Sequence, residues 1–334
     1  MSERDLKKKL TRMVREEAEE QQRRAADSGR FVYVVSPEDG DMTVKQVLKR
    51  KMGFSSRLLG RLKREGRVTR NGREVRLFAD VIEGDVIQAD LPEERCSFLP
   101  QDIPIETVYE DEDMMVINKQ PGVVTHPTKG HPAGTIANGL MKYMERKGIS
   151  FKIRFVNRLD MNTSGLLMVA KNSHCQDSMM KQMRRNQVEK TYTAIVRGII
   201  EEERGTIDLP IGRPDPDEIR RCVMEDGSPS VTHYEVLERF RVPEAENGGY
   251  TLVKLRLETG RTHQIRVHMT HCGHPLIGDT LYGREDPELI GRQALHAGSL
   301  SFFQPVSGQP VKCEAGLPED MRRAVEILRE KSRT

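Results

Sequence analysis

The stretch from Phe155 to Lys171, reading FVNRLDMNTSGLLMVAK, constrains the fold more than any other part of the chain. Phe155 and Val156 look like the end of one strand, Asn162-Thr163-Ser164-Gly165 is turn chemistry, and Leu166 to Ala170 is an unbroken apolar run. A short apolar run bounded by a turn reads as a buried strand. Asp160 therefore falls where a strand gives way to a loop, held by rigid flanks yet free to face a cleft. Alone, an Asp beside Asn-Thr-Ser-Gly reads as a turn cap; the functional reading rests on three further stretches.

With 334 residues the chain exceeds one typical core, so two domains and a tail are expected. Hydrophobic residues make up 36% and charged ones 31%. No apolar run approaches a membrane span or signal peptide, and a cytoplasmic protein is expected. Cys96, Cys175, Cys222, Cys272 and Cys313 are odd in number and scattered, which suits reduced thiols and neither a disulfide framework nor a zinc ribbon. His268, His271, Cys272 and His274 bunch together without ligand-pair spacing, so they read as no zinc site. The net charge of +3 hides a strong asymmetry. Between Lys45 and Arg76 twelve cations face only Glu65 and Glu74, a local balance of +10 that leaves −7 elsewhere.

Residues 1–30 read as a charged arm with a thin apolar stripe at Leu6, Leu10, Met13 and Val14. In residues 31–90, a strand at Phe31 to Val35 precedes a helix from Thr43 to Lys51 and a second helix capped by Ser55 or Ser56 and ended by Gly66. A hairpin follows with its turn at Asn71-Gly72, and Val86-Ile87 continues the small sheet. Residues 91–104, with Pro92, Pro100 and Pro104, read as a linker. Residues 105–334 form the second domain. Ala137, Leu140, Met141 and Met144 mark a helix by spacing, Ser173 with Gln176 forms a capping-box pattern, and Thr262 is a candidate cap for a third helix. KTYTAIVR and TLVKLRLE alternate as half-buried antiparallel strands do. The fold class is α+β, a mixed and largely antiparallel sheet with flanking helices, preceded by a small α/β module.

The order of elements in residues 31–90, with SSRLLGRLKREGRVTRNGREVRLFADVIEGDVI, resembles the small RNA-binding module named after the fourth protein of the small ribosomal subunit. The resemblance implies that Arg57, Arg61, Lys63, Arg64 and Arg67 face phosphates. Independently, cations clustered on one helix suit a polyanion, which they bind by releasing its counterions. A solvated, salt-bridged helix face is the bland alternative, and it has few acids to bridge to.

Arg158 and Asp160, Tyr192 in KTYTAIVRG, and the run LETGRTHQIRVHMTHCGHPLIGDTLYG from Leu257 to Gly283 resemble the RluA-type pseudouridine synthases. INKQPGVVTHP and Leu295-His296-Ala297 match the first and last motifs of that family. Asn157 departs from the pattern, standing where His is usual. The resemblance implies isomerisation of a uridine already in RNA, with the base-sugar carbon-nitrogen bond broken and the sugar rejoined to the fifth carbon of the base. Asp160 would attack the sugar or stabilise its cationic character, Tyr192 would pack on the base and serve as a proton acceptor, and Arg266 would pair with Asp160. Arg158 would hold RNA open around the flipped nucleotide. Asn157, Lys119, His126, Arg261 and Gln264 are expected to contact substrate.

No metal or organic cofactor is implied. The branch with a basic N-terminal module points to large-subunit ribosomal RNA as the partner, with transfer RNA as the alternative, no membrane, and a monomer. An inert RNA-binding assembly factor and a glycosidase are the competing functions. A glycosidase needs paired carboxylates, and no motif pairs Asp160 with a second one.

Overall fold

The computed structural model describes residues 30–333 apart from 92, 93, 95 and 216. The expected arm over residues 1–30 lies outside them, except for Arg30. Strand β1 (Arg30–Val34), helices α1 (Val44–Arg50) and α2 (Ser56–Glu65), and strands β2 (Arg67–Arg70), β3 (Arg73–Glu74) and β4 (Val86–Asp90) form a first unit with sheet order β1-β4-β2-β3. Thr43 and Gln46 form a reciprocal cap on α1, and Ser55 Oγ accepts from Leu58 N at 3.2 Å to start α2. These side chains satisfy N–H groups that a helix start leaves unpaired. Asn71 and Gly72 turn the hairpin with φ of 52° and 78°, the left-handed pair that a two-residue loop requires. Val44, Val47, Leu48, Leu58, Leu59 and Leu62 bury against Phe31, Val68 and Ile87, which leaves the cations of α2 on its outer face.

Strands β5 (Glu106–Glu110) and β6 (Met114–Lys119) precede α3 (Ile136–Lys147), and β7 (Arg154–Phe155) and β8 (Ser164–Ala170) precede α4 (Ser173–Arg184). Next come β9 (Glu189–Arg197), β10 (Arg204–Asp208), the short pair β11 (Ile211–Gly212) and β12 (Cys222–Val223), then β13 (Val231–Arg241) and β14 (Gly249–Leu257). The chain continues through α5 (Gln264–His271), β15 (Leu295–Phe303), β16 (Pro310–Glu314) and α6 (Glu319–Lys331). One sheet of ten strands runs β10-β13-β14-β9-β15-β8-β6-β5, with β16 beside β15 and β7 beside β8. Its pairings are antiparallel except β15 with β8, where His296 lies opposite Ser164 and Ala297 opposite Gly165. The protein is thus α+β with a mixed, largely antiparallel sheet.

Alternation along the strands sends side chains into separate layers. Met115, Ile117, Leu167 and Val169 pack with Ile136, Leu140 and Met144 of α3, whereas Met114, Val116, Leu166 and Met168 pack with Cys175 and Met179 of α4. Helix α6 covers Ile195 and Leu252. Because both faces are covered, all of β8 is buried, which accounts for its unbroken apolar sequence.

Two helix starts differ from expectation. Asn172, one residue before Ser173, caps α4 by accepting from Cys175 N at 2.8 Å. His263, with φ of 60°, occupies the cap of α5 in place of Thr262. The segment expected to be a linker is tied down where it is described. Asn138 Nδ2 donates to Leu99 O at 2.9 Å, and Gln101 N donates to Asn138 O at 3.1 Å. Gly139 permits this approach, since a Cβ there would lie 2.9 Å from Ile103 O. The two units also touch directly: Phe31 and Phe54 close on His174 with ring centroids 4.8 and 4.9 Å away, and Lys181 Nζ donates to Gly53 O at 3.0 Å.

Candidate active site

Strand β7 ends at Phe155, yet its pairing with β8 continues. Val156 N donates to Met168 O at 2.9 Å, and the Asn157 amide then substitutes for a peptide group. Asn157 Oδ1 accepts from Met168 N at 2.7 Å and Nδ2 donates to Leu166 O at 3.3 Å. Leu159 is anchored in the core, and Asp160 emerges beside it half-buried.

The loop that carries Asp160 is pinned residue by residue. Thr125 Oγ1 donates to Leu159 O (3.1 Å), Thr163 N to Asp160 O (3.1 Å), Lys119 Nζ to Met161 O (2.8 Å) and Arg292 Nη1 to Asn162 O (2.9 Å). Gln293 Nε2 reaches Thr163 Oγ1 at 3.4 Å, and His296 Nδ1 lies 3.0 Å from Ser164 Oγ. Gly165, with φ of 111°, lets the loop enter β8 against β15, because a Cβ would sit 2.3 Å from Ala297 O. The first and last motifs of the family therefore act as braces for the loop between them.

Arg266 Nη1 donates to Asp160 Oδ2 at 3.1 Å, as the sequence led us to expect, but its fork engages a different carboxylate. Nε and Nη2 donate to Asp279 Oδ2 and Oδ1 at 2.7 and 2.8 Å. Asp279 is fully buried, and its Oδ1 also accepts from Leu281 N and Tyr282 N. His263 Nε2 lies 3.8 Å from Asp160 Oδ2, and Nδ1 lies 2.9 Å from the Tyr282 hydroxyl. That hydroxyl also accepts from Arg221 N at 2.7 Å. Burial lowers the pKa of His263, against the pull of the Asp160 charge. Asp160 Oδ1 has no protein partner among the described residues.

Tyr192, Arg158, His263 and Arg266 share with Asp160 an inner pocket of about 60 Å³. Burial and then the Asp160 charge push the Tyr192 pKa up. Asp160, Arg158 and His263 also line an outer cleft of about 730 Å³, whose far wall includes Arg57 and Arg61 of α2. The basic unit, which lies beyond the expected linker in sequence, therefore contributes to the cleft. His126 lines it as well, its ring edge-on to Phe98 and Phe155. Arg261 lines the inner pocket.

Three residues expected to contact substrate have their polar groups engaged within the protein, and of these Gln264 also lines the inner pocket. Lys119 has 0% exposure and donates to the carbonyls of Gln120, Val123 and Met161 at 2.8–2.9 Å. Burial, and then the Arg292 charge, drive its pKa down to about 7 against the pull of the Asp160 charge. The Gln264 amide is fully engaged, accepting from Thr259 Oγ1 and Arg261 N and donating to Val231 O and Thr232 Oγ1. Asn157 is occupied by β8. On α2 and β2, Arg61 pairs with Glu94 at 2.9 Å, Arg67 with Glu74 at 3.2 Å, and Arg64 approaches Glu65 at 4.0 Å. Arg57 and Lys63 are exposed.

His263, Asp279 and Tyr282 lie inside the run that carried the family resemblance but were not singled out. The only sequence signal for Asp279 was an acid in Gly-Asp-Thr, which reads equally as a turn.

Residues 113–271 match the family model described as RNA pseudouridylate synthase. An RNA pseudouridine synthase of Bacillus subtilis, YlyB, is 44% identical over 80% of this chain and 87% of its own length. Ribosomal large subunit pseudouridine synthase D of Xanthomonas campestris pv. campestris is 38% identical over 84% of this chain and 86% of its own. Among solved structures, human RNA pseudouridylate synthase domain containing 1 aligns with a TM-score of 0.52 and 28% identity, over 69% of this chain and 96% of that one. The class is that of the RNA pseudouridine synthases, isomerases that act on RNA. Within it, the chain belongs to the RluA-type family.

Proposed function

We propose that the protein isomerises uridines of large-subunit ribosomal RNA, with Asp160 as the only carboxylate that acts on the sugar. The observation that carries this reading is the division of labour between the two acids of the site. Asp279 is occupied by Arg266 and two backbone N–H groups, whereas Asp160 keeps Oδ1 open where the inner pocket meets the cleft. Hydrolysis of a glycosidic bond uses two carboxyl groups, one of them to activate water or protonate the leaving group. A single open carboxylate suits a reaction in which the released base stays in place and bonds again through its fifth carbon. Arg266 aims that carboxylate through the bond from Nη1 to Oδ2. Tyr192 forms an apolar wall for the base, and Arg158 stands at the mouth, where the strand must open to admit a flipped nucleotide.

The ribosomal target is supported by two observations. The relative from Xanthomonas is named for the large ribosomal subunit. Residues 31–90 present Arg57 and Arg61 to the same cleft, as an RNA-binding module of the ribosomal type would. Mapping pseudouridine across total RNA from cells with and without the gene tests the proposal. Sites lost from large-subunit RNA are the expected result, and losses confined to transfer RNA would refute it.

A further inference from the structure

Glu94 stands in the wall of the outer cleft and is shared by three cations from both units. Arg61 Nη1 of α2 lies 2.9 Å from Oε1, Lys152 Nζ lies 3.8 Å from the same oxygen, and Arg154 of β7 meets Oε2. We propose that Arg61, Lys152 and Arg154 form a phosphodiester subsite, and that Glu94 is its resident carboxylate, displaced when RNA enters. The inference rests on the reading that RNA occupies this cleft.

The chemistry of the exchange is direct. A carboxylate and a phosphodiester each offer two oxygens and a single negative charge, and guanidinium groups bind either. Arg61 also lies 3.7 Å from Glu65, so the three cations face two acids and keep one positive charge in excess, in a cleft that Arg57 and Arg158 also line. An ordinary salt bridge between units would need one cation rather than three. Arg154 is buried, so it needs an anionic partner at all times: Glu94 in the free protein and a phosphate in the complex. Arg154 also belongs to the strand that runs directly into Arg158 and Asp160. A phosphate held there fixes the strand of RNA in register with the reacting sugar.

The test is a set of binding isotherms at several salt concentrations with a fragment of large-subunit ribosomal RNA, with product formation measured on the same samples. Removing the competing charge with Glu94→Gln should tighten binding roughly three- to tenfold at every salt concentration, because no resident anion then has to be displaced. Arg61→Gln, at a partly exposed side chain, should lower the slope of log affinity against log salt by about 0.7–0.9, one phosphate contact. A folded Glu94→Gln protein that binds no tighter than the parent overturns the proposal. Should that variant fail to fold, an unchanged slope for Arg61→Gln overturns it. The reading of function fails separately, if the parent protein binds the fragment and no uridine of ribosomal RNA is converted.

Discussion

Asp279 grips Arg266 with both carboxylate oxygens, at 2.7 and 2.8 Å, and thereby leaves one guanidinium nitrogen for Asp160. The arginine is a rigid bridge whose orientation is set from behind. Asp279→Asn should therefore slow turnover roughly 100-fold, by loosening a preorganised charge contact, and cost about 3–5 kcal/mol of stability by leaving a buried guanidinium short of a partner. Arg266→Lys should recover little, because an ammonium cannot span two carboxylates with a planar fork. Single-turnover rates beside thermal melts provide the check, and a parental rate in folded Asp279→Asn would exclude the bridging role.

Asp160→Asn should abolish pseudouridine formation while changing RNA affinity by no more than about threefold, since the substitution is nearly isosteric and removes no phosphate-binding cation. Release of tritium from the fifth carbon of labelled uridine in RNA measures the chemical step. Retained release would remove the carboxylate from the reaction.

Lys119→Met should leave three carbonyls without their donor, including Met161 O in the loop after Asp160. The expected loss is about 2–4 kcal/mol of stability, from buried acceptors left unsatisfied. Turnover should fall while KM for RNA stays close to the parental value, because the ammonium touches no ligand. A change in KM alone would place Lys119 among the substrate contacts after all.

His174 is 5% exposed, wedged between Phe31 and Phe54, with Nδ1 unpartnered, and burial lowers its pKa to about 4. From pH 6.5 down to 4, the unfolded chain binds a proton that the folded protein refuses. Stability should fall as pH drops through that window, by up to roughly 3 kcal/mol from this residue, and the contribution is fully present above pH 6.5. His174→Phe should flatten that part of the plot of Tm against pH. An identical slope in parent and variant would rule out the residue as its source.

Much of the site was legible because its chemistry is written locally. A strand, an Arg-Leu-Asp triplet and a turn place Asp160, and alternation places Tyr192 on a half-buried strand. Helical spacing brings Ile265 and Met269 into the core, which turns Arg266 toward Asp160. What was not legible depends on where hydrogen bonds go. Asn157, Lys119 and Gln264 are residue types that bind ligands, yet their partners are backbone groups and hydroxyls of the protein, some of them supplied by distant segments. Nothing in their own neighbourhoods tells a brace from a contact. Asp279 looks like any turn acid until the fold brings Arg266 to it from 13 residues away. The position of the basic unit was hidden for a similar reason, since the docking of Phe31 and Phe54 on His174 is a tertiary contact between ordinary aromatic residues.

The pinned loop around Asp160 also has a consequence for synthesis. Its anchors include Arg292 and His296, which contact Asn162 and Ser164 across separations of 130 and 132 residues. During translation Asp160 leaves the ribosome well before these anchors are made, and strand β8 after it lacks the β15 neighbour that completes the sheet. Contacts of such long range form late, after the intervening chain has been ordered. The loop around Asp160 therefore stays unbraced from this side until Arg292 and His296 have been made. Its frame closes only once the C-terminal segment has emerged.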